Sequence, residues 1–239
     1  MKCLRVRYTK LGKVRFVGHR DVARIWERAL RKAEIPVLYS QGFSPHPRIS
    51  FGLALPTGFE SEAEYLDIYL DEDFFLKDFN PISINENLSN SLPNGMDVLA
   101  LGEVETSEDS LQEAVDSSVW QVKIAGVSIE DFEVSREKLI SSEIFEIERQ
   151  RKGKIFIENV RPQVHSITVT GKTAEDFNIL TELGTKPRVL RPTDLLRAIN
   201  PELRTKNVLR KEQIILQEDE RFEPLSIRLL PATPVEVLA

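Results

Sequence analysis

A single cysteine, Cys3, stands among 239 residues. One thiol forms no internal disulfide, which points to a reducing compartment. Nor can it supply the mostly thiolate ligand sets of iron–sulfur clusters or of cysteine-rich zinc sites. Histidine is nearly as scarce, with His19, His46 and His165 the three in the chain. None sits at the i,i+4 spacing of helical metal ligands, and only a three-histidine site assembled by the fold is left open. Neither a cofactor nor a metal is expected. No apolar run approaches the roughly 20 residues of a membrane-spanning helix. Met1 to Lys10 alternates charged and apolar residues rather than building a signal-peptide core. The expectation is a cytoplasmic protein with no membrane partner. Neither G-x-G-x-x-G nor a Walker sequence occurs. No Ser/His/Asp or paired-carboxylate set can be assembled from spacing, so the sequence names no reaction and does not decide whether the chain is an enzyme.

What is present is ample for folding. At 41% hydrophobic and 29% charged residues, the chain is too apolar for a disordered protein and long enough for one large domain or two ordinary ones. Its net charge of −6 hides a strong segregation. Residues 1–52 carry 12 Lys and Arg against 3 Asp and Glu, a balance of +9. Residues 53–135 carry 2 against 19, a balance of −17, and residues 136–239 carry 18 against 16. Such segregation suits an anionic partner on one surface and a basic partner on another.

Hydrophobic periodicity orders the elements. Leu4, Val6 and Tyr8 alternate with Arg5, Arg7 and Thr9, a half-buried strand. A helix follows over Arg20–Glu34, with Val22, Ile25, Trp26, Ala29, Leu30 and Ala33 on one face and Pro36 as its stop. Val37–Gln41 reads as a strand, Glu64–Leu70 as another, Ile84–Leu92 as a weakly patterned helix and Asp97–Val104 as a strand. Strand, helix, strand, strand, helix, strand is the split βαβ, or ferredoxin-like, order. The predicted class is therefore α+β, with a ferredoxin-like unit over residues 1–104 whose second sheet face is open for binding. An acidic connector, 105–117, leads to a second and similar α+β unit over 118–230, followed by a tail at 231–239. In that unit, strands are expected at Trp120–Ala125, Phe145–Arg149, Lys154–Val160, Val164–Thr170, Asp176–Leu183 and Leu209–Gln217. The Lys152-Gly153 pair signals a hairpin turn, and helices are expected at Arg136–Ser141 and Pro192–Ile199.

The densest motif is Gln41-Gly42-Phe43-Ser44-Pro45-His46-Pro47-Arg48-Ile49-Ser50-Phe51-Gly52. Two prolines stiffen it and present Ser44, His46 and Arg48 at spacing two. Arg48 can pair an anion, Ser44 can donate to it and His46 can switch a proton; equally, the loop can be structural, with Phe43 and Phe51 buried. Gly18-His19-Arg20-Asp21 opens the first helix, where His19 and Asp21 fit either a helix cap or a base with its orienting partner. These stretches, with Leu4-Arg5-Val6-Arg7-Tyr8, Val14-Arg15-Phe16-Val17, Leu55-Pro56-Thr57-Gly58 and Ser61-Glu62-Ala63-Glu64-Tyr65-Leu66-Asp67, resemble the bacterial radical SAM-linked family of unknown function in its stand-alone form. Arg191-Pro192-Thr193-Asp194-Leu195-Leu196 is similar to a late motif of that family. The resemblance implies a separate radical SAM enzyme as partner, or RNA-processing machinery, and no established catalytic residue.

Three functions fit these features. The first is an accessory RNA-contacting protein. Arg20, Arg24, Arg28 and Lys32 step by four along the first helix, with Arg31 beside them. Arg5 and Arg7 project from the first strand, and Lys186, Arg188, Arg191, Arg197, Arg204, Lys206, Arg210 and Lys211 form a later cluster. Tyr65 and Tyr69 would offer stacking faces on the open sheet. In this reading His19, Arg20, Arg24, Arg28, Ser44, His46 and Arg48 form one anion-binding surface at the start of the first helix. The second is a protein–protein adapter for a radical SAM enzyme, without RNA contact. The third is a metal-independent RNA-processing or modifying enzyme that uses His19 or His46.

Overall fold

The period-two run at the start of the chain forms β1, Lys2–Lys10, and its alternation decides which side chains are buried. The computed structural model describes residues 2–77, 79–104, 110–151, 153–172 and 176–225. These divide into two compact units, residues 2–115 with 215–225, and residues 116–214. The fold is mixed α/β, with antiparallel sheet and several helices. Among the described residues no helix is long and apolar enough to cross a membrane.

In the first unit β1 is followed by α1 (His19–Lys32), β2 (Ile49–Phe51), β3 (Glu60–Leu70), α2 (Glu72–Lys77), α3 (Pro81–Ser89), β4 (Val98–Val104) and the single turn α4 (Leu111–Ala114). Hydrogen-bonded neighbours run β4–β1–β3–β2, each pair antiparallel. Leu4, Val6, Tyr8, Leu66, Ile68 and Leu70 share one sheet face. Val22, Trp26 and Leu30 of α1 pack on it, as do Ile84 and Leu88 of α3. Trp26 is fully buried, its ring 4.9 Å from that of Tyr8 and edge-on to it.

Several boundaries depart from the sequence pattern, each for a local reason. Pro36 is not what ends α1. The helix stops at Lys32 because Glu34 takes φ = 55°. The Ile35 N–H then returns to the Leu30 carbonyl at 3.0 Å and the Glu34 N–H to that of Arg31 at 3.2 Å, a Schellman closure ahead of the proline. The second strand forms after the proline loop, at β2. Val37 and Tyr39 make isolated bridges, to Leu70 and Pro47, since prolines flanking the loop offer no ladder N–H. Helix α3 starts early because Asn80 caps it, accepting from the N–H groups of Ile82 and Ser83 at 3.0 and 3.2 Å, with Pro81 in the first turn.

The second sheet face of this unit is covered, contrary to expectation. Ala63 and Tyr65 pack there with Leu111 of α4 and with Leu225. Arg5 holds Asp67 through two bonds, Nε to Oδ1 at 2.7 Å and Nη2 to Oδ2 at 2.9 Å, and donates to the Pro224 carbonyl at 2.6 Å. Arg7 pairs with Glu223 at 2.7 Å. Neither arginine is available to RNA, and Tyr65, at 2% exposure, cannot stack a base. A half-buried strand pattern reports one apolar face; it cannot report that the chain returns more than a hundred residues later to cover the other.

The second unit contains β5 (Ser117–Ala125), α5 (Ile129–Ser141), β6 (Glu146–Arg151), β7 (Lys154–Asn159), β8 (Val164–Lys172), β9 (Phe177–Gly184), α6 (Pro192–Ile199) and β10 (Arg204–Gln217), whose last three residues belong to the first unit. Neighbours run β10–β5–β9–β8, again antiparallel, with β6 and β7 a separate hairpin. Helix α5 begins seven residues before its expected start because Ser128 caps it, its hydroxyl accepting from the Asp131 N–H at 3.0 Å. Helix α6 has the predicted bounds. A short strand, β11 (Glu220–Phe222), pairs back on residues 215–217 within the first unit. Lys152 of the expected hairpin turn, residues 105–109 of the connector and the tail at 231–239 lie outside the described residues.

Cys3 is buried, and burial pushes its thiol up to about 12, with the Asp67 charge acting in the same direction. The neutral thiol is a poor nucleophile. A thiol reagent at pH 8 is expected to label Cys3 in denaturant and to leave the native protein unlabelled; full labelling of the native protein would contradict its burial. Because the folded value lies above the ordinary 9.0, this group's contribution to stability is complete below about 9 and declines as pH rises beyond it.

Candidate functional site

The first candidate surface is the outer face of α1. The apolar stripe of the helix is taken by the core, so its other residues face solvent. Arg20, Arg24, Arg28, Arg31 and Lys32 are all exposed. Arg24 pairs with Asp21 at 3.1 Å, an exposed contact of little energetic weight. Lys32 donates to the Asn90 carbonyl at 3.3 Å. At the start of the helix Gly18 is the N-cap and no side chain caps it. His19 is exposed and sets its ring edge-on to Phe51 at 5.2 Å.

The proline loop is a closed excursion from the sheet edge. Arg48 N–H bonds the Leu38 carbonyl at 2.7 Å, Ser40 N–H bonds the His46 carbonyl at 2.9 Å, and Ser40 Oγ accepts from the His46 N–H at 3.1 Å. Gly42 turns the tip with φ = 142°, a conformation that L side chains rarely adopt. Ser44 and His46 are exposed on this loop, and Phe43, expected in the core by the structural alternative, projects fully into solvent. The Arg48 guanidinium lies over the Tyr69 ring at 5.2 Å.

These groups do not form one site. Strand register places Ile49 opposite Ile68 and Phe51 opposite Leu66, while Arg48 precedes them and bonds Tyr69. Side chains alternate, so Arg48 and Tyr69 lie on the face opposite α1, whereas Phe51 and His19 lie on the α1 face. The loop precedes β2 and emerges at the Leu70 end of the sheet, away from the start of α1. The expected convergence assumed that the loop followed the paired strand; the strand follows the loop. His19, Arg20, Arg24 and Arg28 thus belong to one surface, and Ser44, His46 and Arg48 to another.

Two charged residues that are not among the candidate anion-binding residues line a cavity with His19. Lys10 and Glu64 are 3% and 6% exposed and line, with Tyr8, His19 and Phe51, a cavity of about 20 Å³. Lys10 Nζ donates to the Val17 carbonyl at 2.8 Å and so holds the turn into α1. Burial lowers the Lys10 pKa, and the Glu64 charge opposes that shift. The cavity has room for about one water, not for a substrate. The signal was legible, because Lys10 and Glu64 occupy the inward positions of the same alternation that places Tyr8 and Leu66.

The later basic cluster is neutralised in part. Lys186 pairs with Asp116 at 2.6 Å, Arg188 with Glu158 at 2.8 Å, and Lys206 with Asp176 at 2.7 Å. Arg210 is 1% exposed and lies over the Trp120 ring at 4.8 Å. His165 Nδ1 meets Glu182 Oε1 at 3.3 Å, and Ser117 Oγ donates to the same oxygen at 2.7 Å. Serine and histidine both end on the carboxylate, so they are not arranged as nucleophile and base. Among the described residues no group of three or more His, Cys, Asp or Glu side chains is placed to hold a metal ion.

No curated protein sequence matches the chain. Among solved structures it is similar to a chain in a Cbf5–Nop10–Gar1 complex, at 8% identity and a TM-score of 0.47, over 87% of this chain and 48% of that one. It therefore spans about half the length of that relative. It is also similar to an unknown protein from Galdieria sulphuraria, at 10% identity and a TM-score of 0.25, over 87% and 98% of the two chains. Residues 3–192 match the family model described as "Uncharacterized protein conserved in bacteria (DUF2344)", and the chain belongs to that bacterial family.

Proposed function

We propose that the chain is an accessory RNA-contacting protein whose phosphate-binding surface is the outer face of α1. The observation that carries this is the set of five exposed cations, Arg20, Arg24, Arg28, Arg31 and Lys32, on one helix. Such a row neutralises backbone phosphates and releases their counterions, which requires no pocket. Phe43 and Tyr39, both exposed, and Arg48 over Tyr69 supply a second surface suited to stacking against unpaired bases. The division into two compact units supports treating them as two domains. The orders β4–β1–β3–β2 and β10–β5–β9–β8 support a ferredoxin-like reading of each, with β6–β7 inserted in the second. A separate radical SAM enzyme in the cytoplasm is the protein partner that the motif resemblance favours.

The test is binding of a single-stranded oligoribonucleotide, followed by anisotropy across a salt series. Arg20→Ala with Arg28→Ala should weaken binding and flatten the slope of log affinity against log salt by about 0.7 for each phosphate no longer neutralised. A parent protein that does not bind, or a double variant that binds as the parent does, would reject the RNA function and favour the adapter.

A further inference from the structure

The second unit contains a surface groove of about 740 Å³ lined by Glu148, Arg149, Arg188, Arg191, Asp194 and Arg197. Four guanidiniums around one cavity repel one another, and the protein balances them only in part. Glu158 gives one carboxylate oxygen to each of two, Arg149 Nη1 at 3.3 Å and Arg188 Nη1 at 2.8 Å. Asp194 meets Arg197 at 3.5 Å, and Glu148 stands exposed on β6. Two sets of donors remain. Arg149 Nε and Nη2 are buried and have no hydrogen-bond acceptor among the described residues; charged donors left that way are costly. Arg191 is exposed and has no ion pair among the described residues.

The position of Arg191 sharpens the point. It is the N-cap of α6, an eight-residue helix that no side chain caps. This is the positive end of the helix dipole, where an acceptor side chain or an anion is favoured and a cation is not. Asp194 in the first turn meets that dipole with a carboxylate but is shared with Arg197, and Arg188 is held by Glu158, which leaves Arg191 for a further anion. Val189 is the one apolar side chain among the described residues of the lining, so an apolar ligand has little to bury. Planar guanidinium donors match the oxygens of a phosphate.

We propose that this groove binds a phosphate group, as a monoester or a diphosphate, through the guanidiniums of Arg149 and Arg191. It is a different site from the α1 surface and does not rest on the RNA function proposed above. The test is calorimetric titration of the full chain with inorganic pyrophosphate at constant ionic strength. Parallel arms use one oligoribonucleotide in 5′-phosphorylated and 5′-hydroxyl forms. Saturable pyrophosphate binding is expected. Arg191→Gln, an exposed change that should leave folding intact, is expected to weaken it by about tenfold or more, Arg149→Gln by at least as much, and Arg20→Ala not at all. A preference for the phosphorylated oligonucleotide that Arg191→Gln removes would identify an RNA end as the source of the phosphate. Pyrophosphate binding with no difference between the oligonucleotides would identify a small phosphate compound. If none of the probes binds saturably, or if binding survives Arg191→Gln unchanged, the site does not exist.

Discussion

Replacing Trp26 with alanine is expected to destabilise the protein by about 3–5 kcal/mol, the usual range for a large aromatic removed from a packed core. The side chain is fully buried between the sheet and the rest of α1, and its ring meets that of Tyr8 at 4.9 Å. In urea the transition that includes the first unit should move down by at least about 1 M, given slopes of 1–3 kcal/mol per molar. Trp26→Phe should cost much less. The indole N–H is buried with no acceptor among the described residues, so removing it sacrifices area but no hydrogen bond. A shift of the alanine variant below about 0.3 M would mean that α1 presents a different face to the sheet.

Removing the Asp67 carboxylate should be comparably severe. Arg5 and Asp67 side chains are 12% and 7% exposed. Burial works against the Arg5 charge, and the hydrogen bonds and charge of Asp67 outweigh it, so its pKa is raised. Asp67→Ala strands a guanidinium in the interior and is expected to cost about 3–5 kcal/mol. Replacing both partners, Arg5→Met with Asp67→Leu, should recover most of that loss, because the desolvation of two charges is then no longer required. Denaturation of the two single variants and the double gives the coupling directly. A double variant as unstable as Asp67→Ala alone would show that Arg5 matters for its bond to the Pro224 carbonyl rather than for the ion pair.

The elements were legible where burial follows a simple period. The apolar stripe of α1 located Trp26, and proline followed by a short apolar pattern located α6 to the residue. Caps moved other boundaries, because Asn80 and Ser128 set helix starts through side-chain bonds that hydrophobic periodicity does not register. The candidate site was less legible. Arg5 and Arg7 look like exposed cations in a half-polar strand, yet their partners, Asp67 and Glu223, come from distant parts of the chain. Charge counts cannot distinguish such paired arginines from those on α1. The proline loop misled for a different reason: its chemistry was clear, but the side of the strand on which it lay depended on pairing register. Lys10 and Glu64 could have been found, since charge at an inward strand position is itself a signal.

The return of residues 215–225 to the first unit has a consequence for the order of events during synthesis. The second unit is nested within the first, as an insertion would be. When residue 104 leaves the ribosome, the four strands of the first unit exist, but Arg7 lacks Glu223, Arg5 lacks the Pro224 carbonyl, and Tyr65 lacks Leu225. At roughly 5–20 residues per second, the missing segment follows after on the order of ten seconds. During that interval the nascent first unit carries an uncovered sheet face on which Arg5 is held by Asp67 and Arg7 by the Glu62 carbonyl, each short of its later partner, and the nested unit can finish folding before the unit that began first.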